Sequence, residues 1–159
     1  MRSASWMLMV SVLMFVASIW FVLAGLRNTA QAAPAGFEPI ATVKQIMDGI
    51  VAPASDTVYQ SVSIIVSEAG VQENFPKTQA EWDVVAASAA ALAEAGGLLT
   101  MGNRLVDEDQ WPGLAKAMTD ASLISKKAAE DRDKDALLAS GEALNESCDN
   151  CHRAYNIDE

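Results

Sequence analysis

Histidine occurs once in this 159-residue chain and cysteine twice. A zinc site needs about four protein ligands, or three and a water, so carboxylates would have to complete one here. Basic residues are also scarce, 11 against 21 acidic. A chain this acidic does not bind nucleic-acid phosphates non-specifically. No βαβ pattern accompanies the cysteines, which removes the setting of a thioredoxin-like redox pair. Internal repeats are absent, and the only biased tract is the Ala-rich stretch from Ala86 to Ala95, which reads as ordinary helix.

Charge is missing altogether between Trp6 and Leu26, a run of 21 residues preceded by Arg2 and followed by Arg27. Two readings fit it. A secretory signal has a basic start, a short apolar stretch and an Ala-x-Ala cleavage site, and Ala30-Gln31-Ala32 supplies that site. An uncleaved transmembrane anchor needs about 20 apolar residues, and the length of this run favours it, with Trp6 and Trp20 suited to the two interfaces. Either reading makes residues 1–32 an export or anchor segment, leaves Arg2 on the cytoplasmic side and sends residues 33–159 across a membrane. Beyond residue 32 the balance is nine basic to 21 acidic residues, a net charge of −12. Such a surface attracts a basic partner face with salt-dependent steering, and it also serves simply to keep a small domain soluble.

What the chain does contain is concentrated at its end. Both cysteines and the histidine fall in Cys148-Asp149-Asn150-Cys151-His152. Cys-x-x-Cys-His is the attachment motif of a c-type haem: two thiols add across the two porphyrin vinyl groups, and the next imidazole binds the iron. Positions i, i+3 and i+4 share one helical face, so the spacing presents two sulfurs and one nitrogen to one flat ligand. The competing readings are a thiol–disulfide pair and half of a zinc site. Covalent haem is attached outside the bacterial cytoplasm, which agrees with the export segment.

Between Ala33-to-Pro39, a linker, and this motif, the hydrophobic pattern is helical. Val43, Ile46, Met47, Ile50 and Val51 begin a first helix that Pro53 should kink or end. Val62 to Val66 is β-branched and fits a short extended segment. A second helix starts at a Thr78/Glu81 capping box and carries Trp82, Val85, Ala89, Leu92, Gly96 and Leu99 on one seam, ending near Met101-Gly102. A third starts near Asp109, tolerates Pro112 in its first turn, and places Trp111, Leu114, Met118, Ala121, Ser125 and Ala128 inward. Glu130 to Asp133 reads as a turn with Asp133 as N-cap. In the fourth helix Leu137, Gly141, Leu144, Cys148, Cys151 and Tyr155 share a seam, so the motif faces the interior. The expected fold is all-α, an antiparallel four-helix bundle holding its haem inside. Trp82 and Trp111 fit bundle-end packing.

With an exported start, four helices and Cys148-Asp149-Asn150-Cys151-His152 followed by Tyr155 near the C-terminus, the chain resembles a class II c-type cytochrome, the cytochrome c′ group. Class I cytochromes place the motif near the N-terminus. The resemblance spans roughly residues 38 to 157, but its specific motif is the Cys-x-x-Cys-His-x-x-Tyr stretch alone. It implies thioether anchors at Cys148 and Cys151, His152 as proximal ligand, and an opposing residue from the first helix, for which Met47 is placed. It also implies a basic residue near a propionate, for which Lys44 is the candidate although an exposed helix lysine is its better reading, and a homodimer. The family often carries a basic residue directly after the tyrosine; here it is Asn156, with Arg153 as the nearby substitute.

With one histidine, bis-histidine ligation within the chain is excluded, and no nucleophile–base pair for hydrolysis remains. Met1, Met7, Met9 and Met14 belong to the export segment, leaving Met47, Met101 and Met118. Met47 is read as sixth ligand, as a cover for an open site, or as core filler. Three functions follow: a one-electron carrier with Met47 and His152 on the iron, a five-coordinate protein binding NO or CO, and a haem-free thiol redox enzyme. The carrier needs a redox partner and no enzyme chemistry of its own.

Overall fold

The computed structural model describes Met14, Phe15 and residues 38–155, and the chain divides into two units, Met1–Phe37 and Glu38–Glu159. Met14 and Phe15 are helical. The export or anchor segment otherwise lies outside the described residues, as does Asn156. The second unit is mostly helical with one two-stranded sheet.

Its first helix begins at Thr42, whose hydroxyl accepts from Gln45 N while the Gln45 side chain accepts from Thr42 N, a capping box. Of the two outcomes the sequence allowed at Pro53, a kink or an end, the end is excluded, since the chain stays helical through it. The helix runs as α1 (Val43–Ile46), a π-helical segment (Met47–Val51) and α2 (Ala52–Ser61). In the π segment the Ala52 N–H reaches back five residues to the Met47 carbonyl. One extra residue is thereby absorbed in the turn. Pro53 falls in the first turn of α2, where its missing N–H costs least. The same insertion sets the buried face: Ile46, Val51, Ala54 and Val58 follow at steps of five, three and four.

The β-branched stretch is extended. β1 (Ser63–Ser67) pairs antiparallel with β2 (Gly70–Asn74), Ile65 opposite Gln72 and Ser67 opposite Gly70. Gly70 at φ 124° makes the tight return that L side chains resist. The hairpin is tied to the helices by Asn74 Nδ2 donating to Gln60 O (3.1 Å) and by a Lys134–Glu73 ion pair (2.6 Å).

α3 (Gln79–Leu99) starts at the expected capping box, with Thr78 Oγ1 accepting from Glu81 N and Glu81 accepting from Thr78 N. All six residues read as its seam are buried. α3 is long and apolar enough to cross a membrane, but here that face packs against α2 and α4. α4 (Trp111–Asp131) crosses α3 closely where Gly96 stands over it. A Cβ at Gly96 would lie 2.8 Å from Ala115 O, and Thr119 Oγ1 donates to Ala93 O across the helix pair (3.2 Å).

α4 runs through Glu130 and Asp131, which the sequence had suggested for a turn. The reversal is confined to Arg132, in the left-handed conformation (φ 56°), and Asp133, which caps α5 (Lys134–Ala154) by accepting from Asp135 N and Ala136 N. Lys127 four residues before Asp131 gives the last turn of α4 an ion pair that keeps it helical. So tight a turn returns α5 along α4, and a buried Ser125–Ser140 hydrogen bond of 2.9 Å joins them. Ile46, Val58, Leu92, Leu137 and Leu144 are almost fully buried, each contributing about 1.5–3 kcal/mol.

Candidate functional site

The last two turns of α5 carry Cys148, Cys151 and His152, all half-buried. The buried stripe of α5 is Leu137, Ser140, Leu144 and Ser147, continued by the partly buried Cys151. Gly141 and Cys148 lie on its shoulder rather than at its centre. The motif therefore stands at the margin of the core, where one side opens into a cavity of about 210 Å³.

That cavity is lined from three other directions as well. Met47, Val51 and Ala52 come from the π segment and its exit, Leu99 from the end of α3, and Leu114 and Met118 from α4. Met47 and His152 thus line the same space from opposite ends of the described chain. The π segment contributes directly, because its wide turn brings Met47, Val51 and Ala52 to one wall. Met118, read as core, is both buried and part of this wall. Met101 is not among the lining residues.

Tyr59 of α2 also lines the cavity, a role its sequence context did not reveal. Burial, then the charges of Cys148 and Asp149, push its phenol up to about 12. It stays protonated and able to donate a hydrogen bond. The Cys151 thiol is likewise pushed up, first by burial and then by Cys148. Thiols activated for disulfide exchange sit at helix N-termini and have lowered pKa values. These two sit at a C-terminal helix end, where the backbone dipole disfavours a thiolate.

A latch closes the end of α5. Tyr155 OH donates to Asp107 Oδ2, while its ring meets Trp111 edge-on at 5.0 Å between centroids. Asp107 Oδ1 accepts from the backbone N–H groups of Asp109, Gln110 and Trp111 at 2.8–3.2 Å. Trp111 Nε1 donates to Leu99 O at 2.8 Å. Asp107 therefore holds the N-terminal end of α4 and fixes the tyrosine that follows the motif. The hydrogen bond from Tyr155 and those from the backbone hold the Asp107 carboxyl below its usual range, and the Tyr155 phenol is pushed up to about 12 by the same bond. A depressed carboxyl contributes stability above its unfolded pKa and loses it as pH falls through the folded value. Asp107→Asn is therefore expected to lower the melting temperature at neutral pH and to leave it less changed near pH 2–3, the difference read by thermal melts across that range.

The two basic residues assigned to the site stand apart from the cavity. Lys44 pairs with Asp48 at 2.7 Å with its side chain 81% exposed. Exposed Arg153 donates to Asn150 Oδ1 at 2.8 Å. Neither is a lining residue, because each extends from the outer face of its helix. Among the described residues no cluster of three His, Cys, Asp or Glu side chains could hold a metal ion on its own. The donor set of two thiols, one imidazole and one thioether around an apolar cavity suits a planar macrocycle that brings its own metal. No family model matches the chain, and no curated protein or solved structure matches it either.

Proposed function

We propose that the cavity holds one covalent haem c and that the protein is a one-electron carrier of the class II cytochrome kind, with α1–α2, α3, α4 and α5 as an antiparallel four-helix bundle. The observation that carries this reading is the convergence of Cys148, Cys151, His152 and Met47 on one apolar cavity. Cys148 and Cys151 would anchor the group by thioethers, His152 would be its proximal ligand and Met47 its distal one. When bound, haem supplies a one-electron couple whose potential Met/His ligation raises. The chain's own part is to fix those ligands on two helices, to exclude water with Val51, Leu99, Leu114 and Met118, and to hold the motif's end by the Tyr155–Asp107 bond. The elevated thiol of Cys151 and its C-terminal helix position speak against a thiol oxidoreductase.

The reading extends to context. The uncharged run from Trp6 to Leu26 would deliver the domain to the periplasm, as a cleaved signal or as an anchor. The acidic surface would dock a redox partner with a basic face, and the family resemblance adds a homodimer.

The deciding experiment is the optical spectrum of the dithionite-reduced protein, made in a host with c-type haem maturation, before and after CO. Sharp low-spin α and β bands that ignore CO are expected. A broad spectrum that shifts with CO would replace the carrier with a gas-binding protein. Absence of any haem band would overturn the reading.

A further inference from the structure

The buried seam of the first helix is Ile46, Val51, Ala54 and Val58. Beside it runs a second stripe, Met47, Ala52, Ser55 and Tyr59, which lines the cavity. Both stripes step by five, then three, then four. A regular helix steps by three and four, so the five in each stripe is the residue added by the π turn Met47–Val51. Without it the upstream helix would be one position out of register with α2. Counting back four residues from Val51 and from Ala52 then gives Met47 for the seam and Asp48 for the cavity stripe. The π turn therefore decides which of two neighbours meets the cavity. One is the Met47 thioether; the other is the Asp48 carboxylate, exposed here and paired with Lys44. Packing does not close the alternative register, since a methionine in place of Ile46 keeps the seam apolar at similar volume.

Pro53 is the residue that disfavours the regular register. It has no N–H for the Gly49 carbonyl four residues back, and in a regular helix its ring would meet that carbonyl. The π turn ends one helix and lets α2 begin at Ala52, with Pro53 in the first turn. Side-chain packing does not explain the turn. Gly49 is exposed and a Cβ there would meet nothing within 4 Å, and Pro53 is exposed as well. We propose that Pro53 is a positioning residue: by keeping this turn π-helical it selects Met47 over Asp48 for the cavity wall, and so a thioether over a carboxylate for the group bound there. The chemistry of that choice rests on the haem reading; the register does not.

The test uses the haem-loaded full chain with Pro53→Ala, alone and combined with deletion of Gly49. Alanine permits the regular helix, so P53A is expected to lose methionine ligation with the thioether still in the chain. The reduced spectrum becomes high-spin and shifts with CO, the midpoint potential falls, and the methionine methyl resonance displaced upfield by the haem ring disappears. Deleting Gly49 removes the extra residue, so both stripes step by four, three and four with Met47 again on the cavity side. The combined variant is therefore expected to recover the low-spin spectrum, the potential and the methyl resonance. A P53A protein that keeps all three overturns the proposal. So does a combined variant that fails to recover them, whether or not P53A folds. A parent protein with no haem, or with no methionine on its iron, refutes the carrier reading instead. A crystal structure of P53A then decides the register: Asp48 on the cavity wall supports the proposal, and Met47 there overturns it.

Discussion

Replacing both Cys148 and Cys151 with alanine is expected to leave the chain without any pigment that survives denaturation, the largest effect any substitution here should have. The argument is one of bonds. These are the only two thiols in the chain, so no other side chain can take over thioether attachment. Each single variant keeps one sulfur and should retain a covalent band at reduced yield, with the α band moved to longer wavelength by the unreacted vinyl group. The double variant also loses stability. A cavity of about 210 Å³, lined by Val51, Leu99, Leu114 and Met118 but also by Asn145 and Asp149, would be left without the proposed group; water can enter such a partly polar, open site, so the loss stays below that of a closed apolar void. Haem staining after denaturing electrophoresis and urea unfolding measure the two effects. Covalent haem in the double variant would refute the assignment.

How much of this was readable from the residues depends on how local the cause was. The seam from Trp82 to Leu99 and the Thr78–Glu81 box were legible, because helical period and a three-residue cap are set by adjacent positions. So was the Asp133 cap. Pro53 marked the irregular place but not its form: the helix widens into a π turn five residues long before the proline and then continues. The hairpin was half legible: Val62 to Val66 is β-branched, yet its partner Gly70–Asn74 has no strand signature and pairs because Gly70 permits the turn. At the candidate site, spacing drew attention to the cysteines and histidine and the family resemblance to Met47, and all four line the one cavity. Tyr59 and Asp107 had no such signal, because each meets residues tens of positions away. Lys44 follows the other of its two readings, an exposed helix lysine, and Arg153 likewise stands clear of the cavity. They lie close in sequence to Met47 and His152, but both point to solvent, where they form local helix pairs.

Met47→Ala is expected to convert the reduced protein from a low-spin, CO-indifferent form to a high-spin form that binds CO, and to lower its midpoint potential. The first helix sends the Met47 thioether to the cavity beside the Tyr59 phenol, and Met/His ligation raises the potential relative to an open site. Axial ligands move haem potentials over roughly 0.8 V in all, so a fall on the order of a hundred millivolts is reasonable for losing one. The helix itself should survive. The π segment is held by the Met47 carbonyl accepting from Ala52 N, a backbone bond that alanine keeps. Met47 is only half-buried, so the packing loss should fall near or below the low end of the ~2–5 kcal/mol seen for buried Met→Ala changes. Met118→Leu is the control: the same cavity wall, similar volume, and no expected change in spin state or potential. If M47A leaves spectrum and potential as they were while M118L alters both, the distal ligand comes from α4 and the first helix merely walls the site. If neither changes anything, the iron is open on its distal side, and CO binding by the parent protein would already have shown it.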